Sequence, residues 1–130
     1  MRQARTGRTE HCLPEGPVMP TRICFVELPA REIAPAKAFY TAAFGFAMTD
    51  FGPSYACTLS GEVDLGIQAD PAEATRAPLP VIEVDSLEAA EAAVIGAGGL
   101  ISKPAFSFPG GRRFHFRDPA GNELAAMQPE

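Results

Sequence analysis

A chain of 130 residues, 46% hydrophobic and 21% charged, has the makeup of one folded globular domain: too short for two ordinary domains and too apolar for disorder. Its 16 acidic against 11 basic residues leave a net charge of −5, and apart from Arg112-Arg113 the basic residues are scattered, which excludes the basic stripe of a nucleic-acid binder. No apolar run approaches the roughly 20 residues of a membrane helix, and no apolar stretch follows the arginine-bearing N-terminus, so a cytoplasmic location without a membrane partner is the default expectation.

Residues 1–20 mix Arg, Gly, Pro, Glu and His without an apolar period and read as a disordered extension. Met19, just before the first clear strand, offers a second translation start. A single domain is expected over 21–130.

Within it, Ile23-Cys24-Phe25-Val26-Glu27-Leu28, closed by Pro29, has the compact apolar character of a buried strand. Ile33 to Phe44 places Ala36, Phe39, Tyr40 and Ala43 at helical spacing, with an early proline at Pro35 and a stop at Gly45. Three β-type stretches follow, Phe46–Asp50, Tyr55–Leu59 and Val63–Gln68, separated by Gly52-Pro53 and Ser60-Gly61.

A proline-bearing linker over 70–78 leads to a second strand, Val81-Ile82-Glu83-Val84, and then to a helix from Ser86, a good N-cap, to Ala97, ended by Gly98-Gly99. Leu100–Lys103, Gly111–Arg117 and Asn122–Gln128 read as three more strands, with turns at Pro109-Gly110 and Asp118-Pro119-Ala120-Gly121. Both halves therefore run βαβββ, module one over 21–69 and module two over 79–128. One module cannot cover its own sheet, so the two must share a core.

Cys12, Cys24 and Cys57 lie too far apart for a C-x-x-C zinc pair, and their odd number does not suit a disulfide framework. Cys24, in an apolar strand, is expected to be a buried reduced thiol.

The string Ala36-Lys37-Ala38-Phe39-Tyr40 with Ala43-Phe44-Gly45-Phe46 resembles a helix signature of the vicinal oxygen chelate superfamily, which holds the glyoxalases, bleomycin-resistance proteins and extradiol dioxygenases. Ile82-Glu83-Val84-Asp85-Ser86-Leu87 resembles its second strand-to-helix junction, and Phe116-Arg117-Asp118-Pro119-Ala120-Gly121-Asn122 resembles its F-x-D-P-x-G-N turn. Phe25-Val26-Glu27-Leu28-Pro29 looks most like bacterial lactoylglutathione-lyase-related members. The resemblance implies an α+β fold: two βαβββ modules forming a curved mixed sheet around a cup, helices outside, usually as a homodimer.

Metal-bearing members of that superfamily line the cup with His, Gln and Glu on the first and last strands of each module, a donor set for a divalent ion that leaves room for two substrate oxygens. Carried onto this chain, the four ligand positions fall at Phe25, Leu65, Leu79 and Ala125, none of which can ligate. No cofactor is therefore expected, with a divalent metal on displaced ligands such as Glu27, His115 and Glu123 as the alternative.

Glu27 lies two residues from Phe25 on the same strand face, where a carboxylate is costly unless paired or protonated. It is the one catalytic candidate, its structural counterpart being an ion pair. Glu123 bears the same relation to Ala125. His115, the only histidine of the expected domain, lacks a nearby second ligand and reads as a satisfied strand histidine or a ligand contact.

Arg113, after a flexible Pro-Gly-Gly segment, could hold a carboxylate or phosphate. Phe106 and Phe108, in what reads as a Pro- and Ser-bearing loop, are expected to wall a pocket. The leading expectation is a binder of a small, partly apolar molecule without the usual metal site. The alternatives are a metal-dependent lyase, isomerase or dioxygenase and an interaction module with a filled cup.

Overall fold

The computed structural model describes residues 21–59 and 61–130; the expected extension at 1–20, Cys12 within it and Ser60 lie outside these. Module one comprises β1 (Arg22–Pro29), α1 (Ile33–Phe44), β2 (Thr49–Asp50), β3 (Tyr55–Cys57) and β4 (Asp64–Gln68). Module two repeats the plan with β5 (Leu79–Glu83), α2 (Leu87–Gly96), β6 (Leu100–Phe108), β7 (Gly111–Arg117) and β8 (Glu123–Pro129). No helix among the described residues is long and apolar enough to cross a membrane.

The modules join into one eight-stranded sheet of order β2-β3-β4-β1-β5-β8-β7-β6. Within each module the first strand runs parallel to the last, β1 beside β4 and β5 beside β8, while β1 and β5 meet antiparallel at the centre. That pattern places Glu27 opposite Leu79 and Phe25 opposite Val81, so the two modules are exchanged by a local two-fold axis between them.

α1 ends where Gly45 adopts φ 73°, its N–H donating to the Thr41 carbonyl and the next N–H, of Phe46, to the Tyr40 carbonyl, a conformation open to glycine at little cost. α2 starts at Ser86, whose hydroxyl accepts from the Ala89 N–H, and its Leu87 N–H donates to the Gln128 side chain at 2.8 Å. The two helices cover the sheet unequally. Leu87 of α2 is buried with Val84, Phe114 and Ala126, whereas α1 buries none of its residues and leaves Phe39 and Phe44 exposed.

The F-x-D-P-x-G-N turn is self-contained. Asp118 Oδ1 accepts from the Ala120 and Asn122 N–H groups at 2.9 Å, its Oδ2 accepts from Asn122 Nδ2, and Gly121 turns the chain at φ 93°. These residues thus set the β7–β8 hairpin.

β6 departs from the sequence expectation. It continues past Lys103 to Phe108, so Phe106 and Phe108 stand on a strand rather than in a loop. Pro104 is accommodated because β6 is an edge strand whose pairing to β7 shifts register between Lys103 and Phe106. The turn at Pro109-Gly110 and the strand Gly111–Arg117 after it stand as the sequence reading has them, with Arg112 and Arg113 on β7. Cys24 is half-buried, not buried, because a register irregularity between Ile23 and Phe25 turns its Sγ toward the Val81 carbonyl.

Candidate functional site

Strand alternation builds the concave face away from α2. Phe25 and Glu27 come from β1, and β5 adds Leu79 and Val81 opposite them. Parallel β8 sets Ala125 beside Val81; β7 then lays His115 against Ala125 and Arg113 against Met127, and β6 brings Phe106 against Arg113. Leu79, Val81 and Ala125 form its buried apolar floor, with Phe25 and Met127 packed on them.

Leu65 does not belong to this face. Glu27 pairs with Gly66 on β4 as Val81 pairs with Ala125 on β8, so the counterpart of Ala125 is Gly66, and Leu65 points to the opposite side. The turn of module one holds one residue more between its glycine and this position, which the alignment of Gly61 with Gly121 could not reveal. Gly66 is itself informative: a Cβ there would press into the Phe25 ring and the Tyr55 hydroxyl. The positions equivalent by the two-fold axis are thus Phe25, Gly66, Leu79 and Ala125, and none carries a side-chain donor. Asp64, the counterpart of Glu123, is turned to its own loop, where Oδ1 accepts from the Thr58 hydroxyl at 2.7 Å and from the Gly61 N–H.

Two polar pairs cross the floor. Arg113 Nη1 donates to Glu27 Oε1 at 3.4 Å, with Arg113 9% and Glu27 2% exposed. The Phe106 and Phe108 rings flank the guanidinium at 5.4 and 5.5 Å from its Cζ, and Lys103 Nζ lies 4.5 Å from the Phe106 ring. On the same strand His115, 2% exposed, meets Glu123 Oε2 through Nδ1 at 3.1 Å, and the Ser102 hydroxyl donates to the same oxygen.

A carboxylate only accepts, so Nδ1 carries the proton and the neutral ring keeps a bare lone pair on Nε2. Burial, and next the positive charge of Arg113, lower the His115 pKa and favour that neutral ring, against the opposing pull of Glu123. Tyr55, which the sequence marks only as aromatic bulk, faces the ion pair; burial first and the Glu27 charge second raise its phenol pKa and keep it protonated. Burial likewise raises the Cys24 and Cys57 thiols, which are free and protonated at neutral pH.

Three buried polar atoms on this face have no hydrogen-bond partner among the described residues: Glu27 Oε2, Arg113 Nε and His115 Nε2. Such atoms cost about 1–3 kcal/mol each when nothing completes them. The displaced-ligand set does not form a cluster, since Arg113 engages Glu27 and Glu123 engages His115. Among the described residues no three His, Cys, Asp or Glu side chains are grouped to hold a metal ion. Two cavities lie off this face, one of about 190 Å³ against Glu83, Asp85 and Gln128, the other of about 420 Å³ between the linker and the β7–β8 turn.

Paired βαβββ modules joined through their first strands, with a concave polar-and-apolar face between them, define a recognisable class of α+β protein. A family model for the Glyoxalase/Bleomycin resistance protein/Dioxygenase superfamily matches residues 22–126, and the chain belongs to that superfamily. No curated protein matches it in sequence.

Solved structures share the fold. A protein described as NAD-dependent benzaldehyde dehydrogenase from Legionella pneumophila is 16% identical with a TM-score of 0.67, over 85% of this chain and 100% of that one. Methylmalonyl-CoA epimerase from Mycobacterium tuberculosis is 14% identical with a TM-score of 0.62, over 83% and 87%. The Mn(II)-bound glyoxalase from Novosphingobium aromaticivorans is 18% identical with a TM-score of 0.62, and the match spans 82% of this chain but only 38% of that one.

Proposed function

We propose that this protein binds a small, partly apolar molecule on the concave face, over the floor of Leu79, Val81 and Ala125, without a metal at the superfamily's usual positions. The observation that carries the reading is the set of unpartnered buried atoms of Glu27, Arg113 and His115 above that floor. An apolar surface with a few convergent polar groups is what small-ligand recognition requires. Phe25, Gly66, Leu79 and Ala125 do not fit a divalent ion, which needs nitrogen or oxygen donors there.

The test is a fragment screen by thermal shift and by NMR, together with titration of Zn, Ni, Mn and Fe into metal-stripped protein. Fragments are expected to raise Tm and to shift Arg113 and His115 signals, an effect lost in Arg113→Met. Stoichiometric tight metal binding at the cup would sink the metal-free part of the reading.

A filled cup is the second reading, favoured by the Phe25 ring over Gly66 and by the aromatic cover on Arg113. It predicts that no fragment stabilises the fold. A homodimer accompanies either reading. Phe39, Phe44, Phe46 and Phe51 are exposed around α1, an apolar surface of the kind that monomers seldom leave bare. Light scattering is expected to give twice the chain mass, reduced to one by Phe39→Ser with Phe44→Ser.

A further inference from the structure

The charges around the concave face cancel in pairs. Glu27 faces Arg113, Glu123 lies 3.7 Å from Arg117, and Lys103 lies 3.0 Å from Glu73. A charged molecule entering here would lose its hydration and, among the described residues, meet side chains whose charges are already balanced in ion pairs, a loss of several kcal/mol. The hydrogen-bonding inventory is specific in the opposite sense. His115 Nε2 is an acceptor, because Nδ1 carries the proton toward Glu123, Glu27 Oε2 is a second acceptor, and Arg113 Nε is a donor. Arg113 and His115 are two apart on β7 and face the same side, so their backbones lie roughly 7 Å apart by strand geometry.

From this balance of charge and inventory of unpartnered atoms, we infer that the ligand is an uncharged molecule. It bears an N–H or O–H that donates to His115 Nε2 and a carbonyl-type oxygen that accepts from Arg113 Nε, joined to an apolar part that rests on Leu79, Val81 and Ala125. Primary amides and hydroxy-carbonyl compounds have this pattern; carboxylates and amines lack it. The inference rests on the proposed small-molecule site and narrows it to one chemical class.

Four probes on one apolar frame test it: benzamide, benzoate, benzylamine and acetophenone, titrated into the full chain and followed by backbone NMR and by ¹⁵N signals of labelled histidine. The free protein is expected to show a His115 ring protonated at Nδ1 and bare at Nε2 at pH 7, distinguished from His11 by the His115→Phe variant.

Benzamide is expected to bind at least roughly tenfold tighter than each of the other three, the worth of one good hydrogen bond. It should also move the Nε2 signal. Benzoate or benzylamine binding the concave face as tightly as benzamide would overturn the inference while leaving small-molecule binding intact. A His115 ring protonated at Nε2 in the free protein would overturn it without any ligand, whether or not the Phe variant folds. Silence from all four probes beside a fragment hit of charged type also overturns it, and silence from every fragment removes the underlying site as well.

Discussion

Arg113 and Glu27 stand 86 residues apart in the chain and form a buried ion pair across the seam between the modules, bridging β7 of one to β1 of the other. Removing one partner leaves a buried charge uncompensated, which costs about 3–5 kcal/mol. Arg113→Met and Glu27→Leu are each expected to lower unfolding free energy by about that amount. The double variant should recover most of the loss, since apolar groups of similar volume replace both charges. Urea unfolding in a double-mutant cycle measures it. Additive losses would show that the two do not act as a pair.

His115 makes stability depend on pH. Its pKa in the fold lies below the unfolded value near 6.5, so below about pH 6.5 the unfolded chain takes up a proton that the folded ring resists. Stability from this residue is complete above pH 6.5 and falls as pH drops toward the folded pKa. Plots of unfolding free energy against pH should show that downward limb in the native chain, and His115→Phe should flatten it. An unchanged limb in the variant would assign the effect to other groups.

Gly66→Ala is expected to destabilise the protein by about 1–3 kcal/mol, because the new methyl group meets the Phe25 ring and the Tyr55 hydroxyl. Phe25→Leu introduced with it should restore part of the loss. Thermal denaturation of the three variants measures it, and equal Tm values for Gly66→Ala and the native chain would mean that the ring moves aside freely.

Ser86→Ala removes the acceptor for the Ala89 N–H at the start of α2 and is expected to cost about 1 kcal/mol. Ser86→Asp should keep the cap. Chemical denaturation distinguishes them, with the loss confined to the alanine variant if capping is the cause.

Most of the architecture was legible along the chain. Helix spacing, Gly45, Ser86 and the Asp118–Asn122 turn act locally, through capping and backbone conformation, and the same signals in both halves made the duplication readable. Glu27 could be placed on the same strand face as Phe25, and Glu123 on that of Ala125, because alternation along a strand is a local rule too, whereas the direction of His115 came only from the pairing of β7 with β8. The β6 strand was read short because Pro104 argues against pairing; the edge position that tolerates it is a property of the sheet.

The Leu65 assignment failed for a related reason. Register between β4 and β1 is set by hydrogen bonds across the sheet, and one additional residue in a turn moves every side chain after it to the other face. A glycine inside a strand was the available signal for close approach, and Gly66 carried it.

The sequence by itself determined the paired modules, the absence of donor side chains at Phe25, Leu79 and Ala125, and the presence of carboxylates two residues from two of those positions. Only the tertiary structure decided what those carboxylates do. Glu27 is held by an arginine 86 residues away in the other module, a partner it meets only once the sheet has closed its register, and Glu123, eight residues from His115, fixes that ring's tautomer through the β7–β8 pairing.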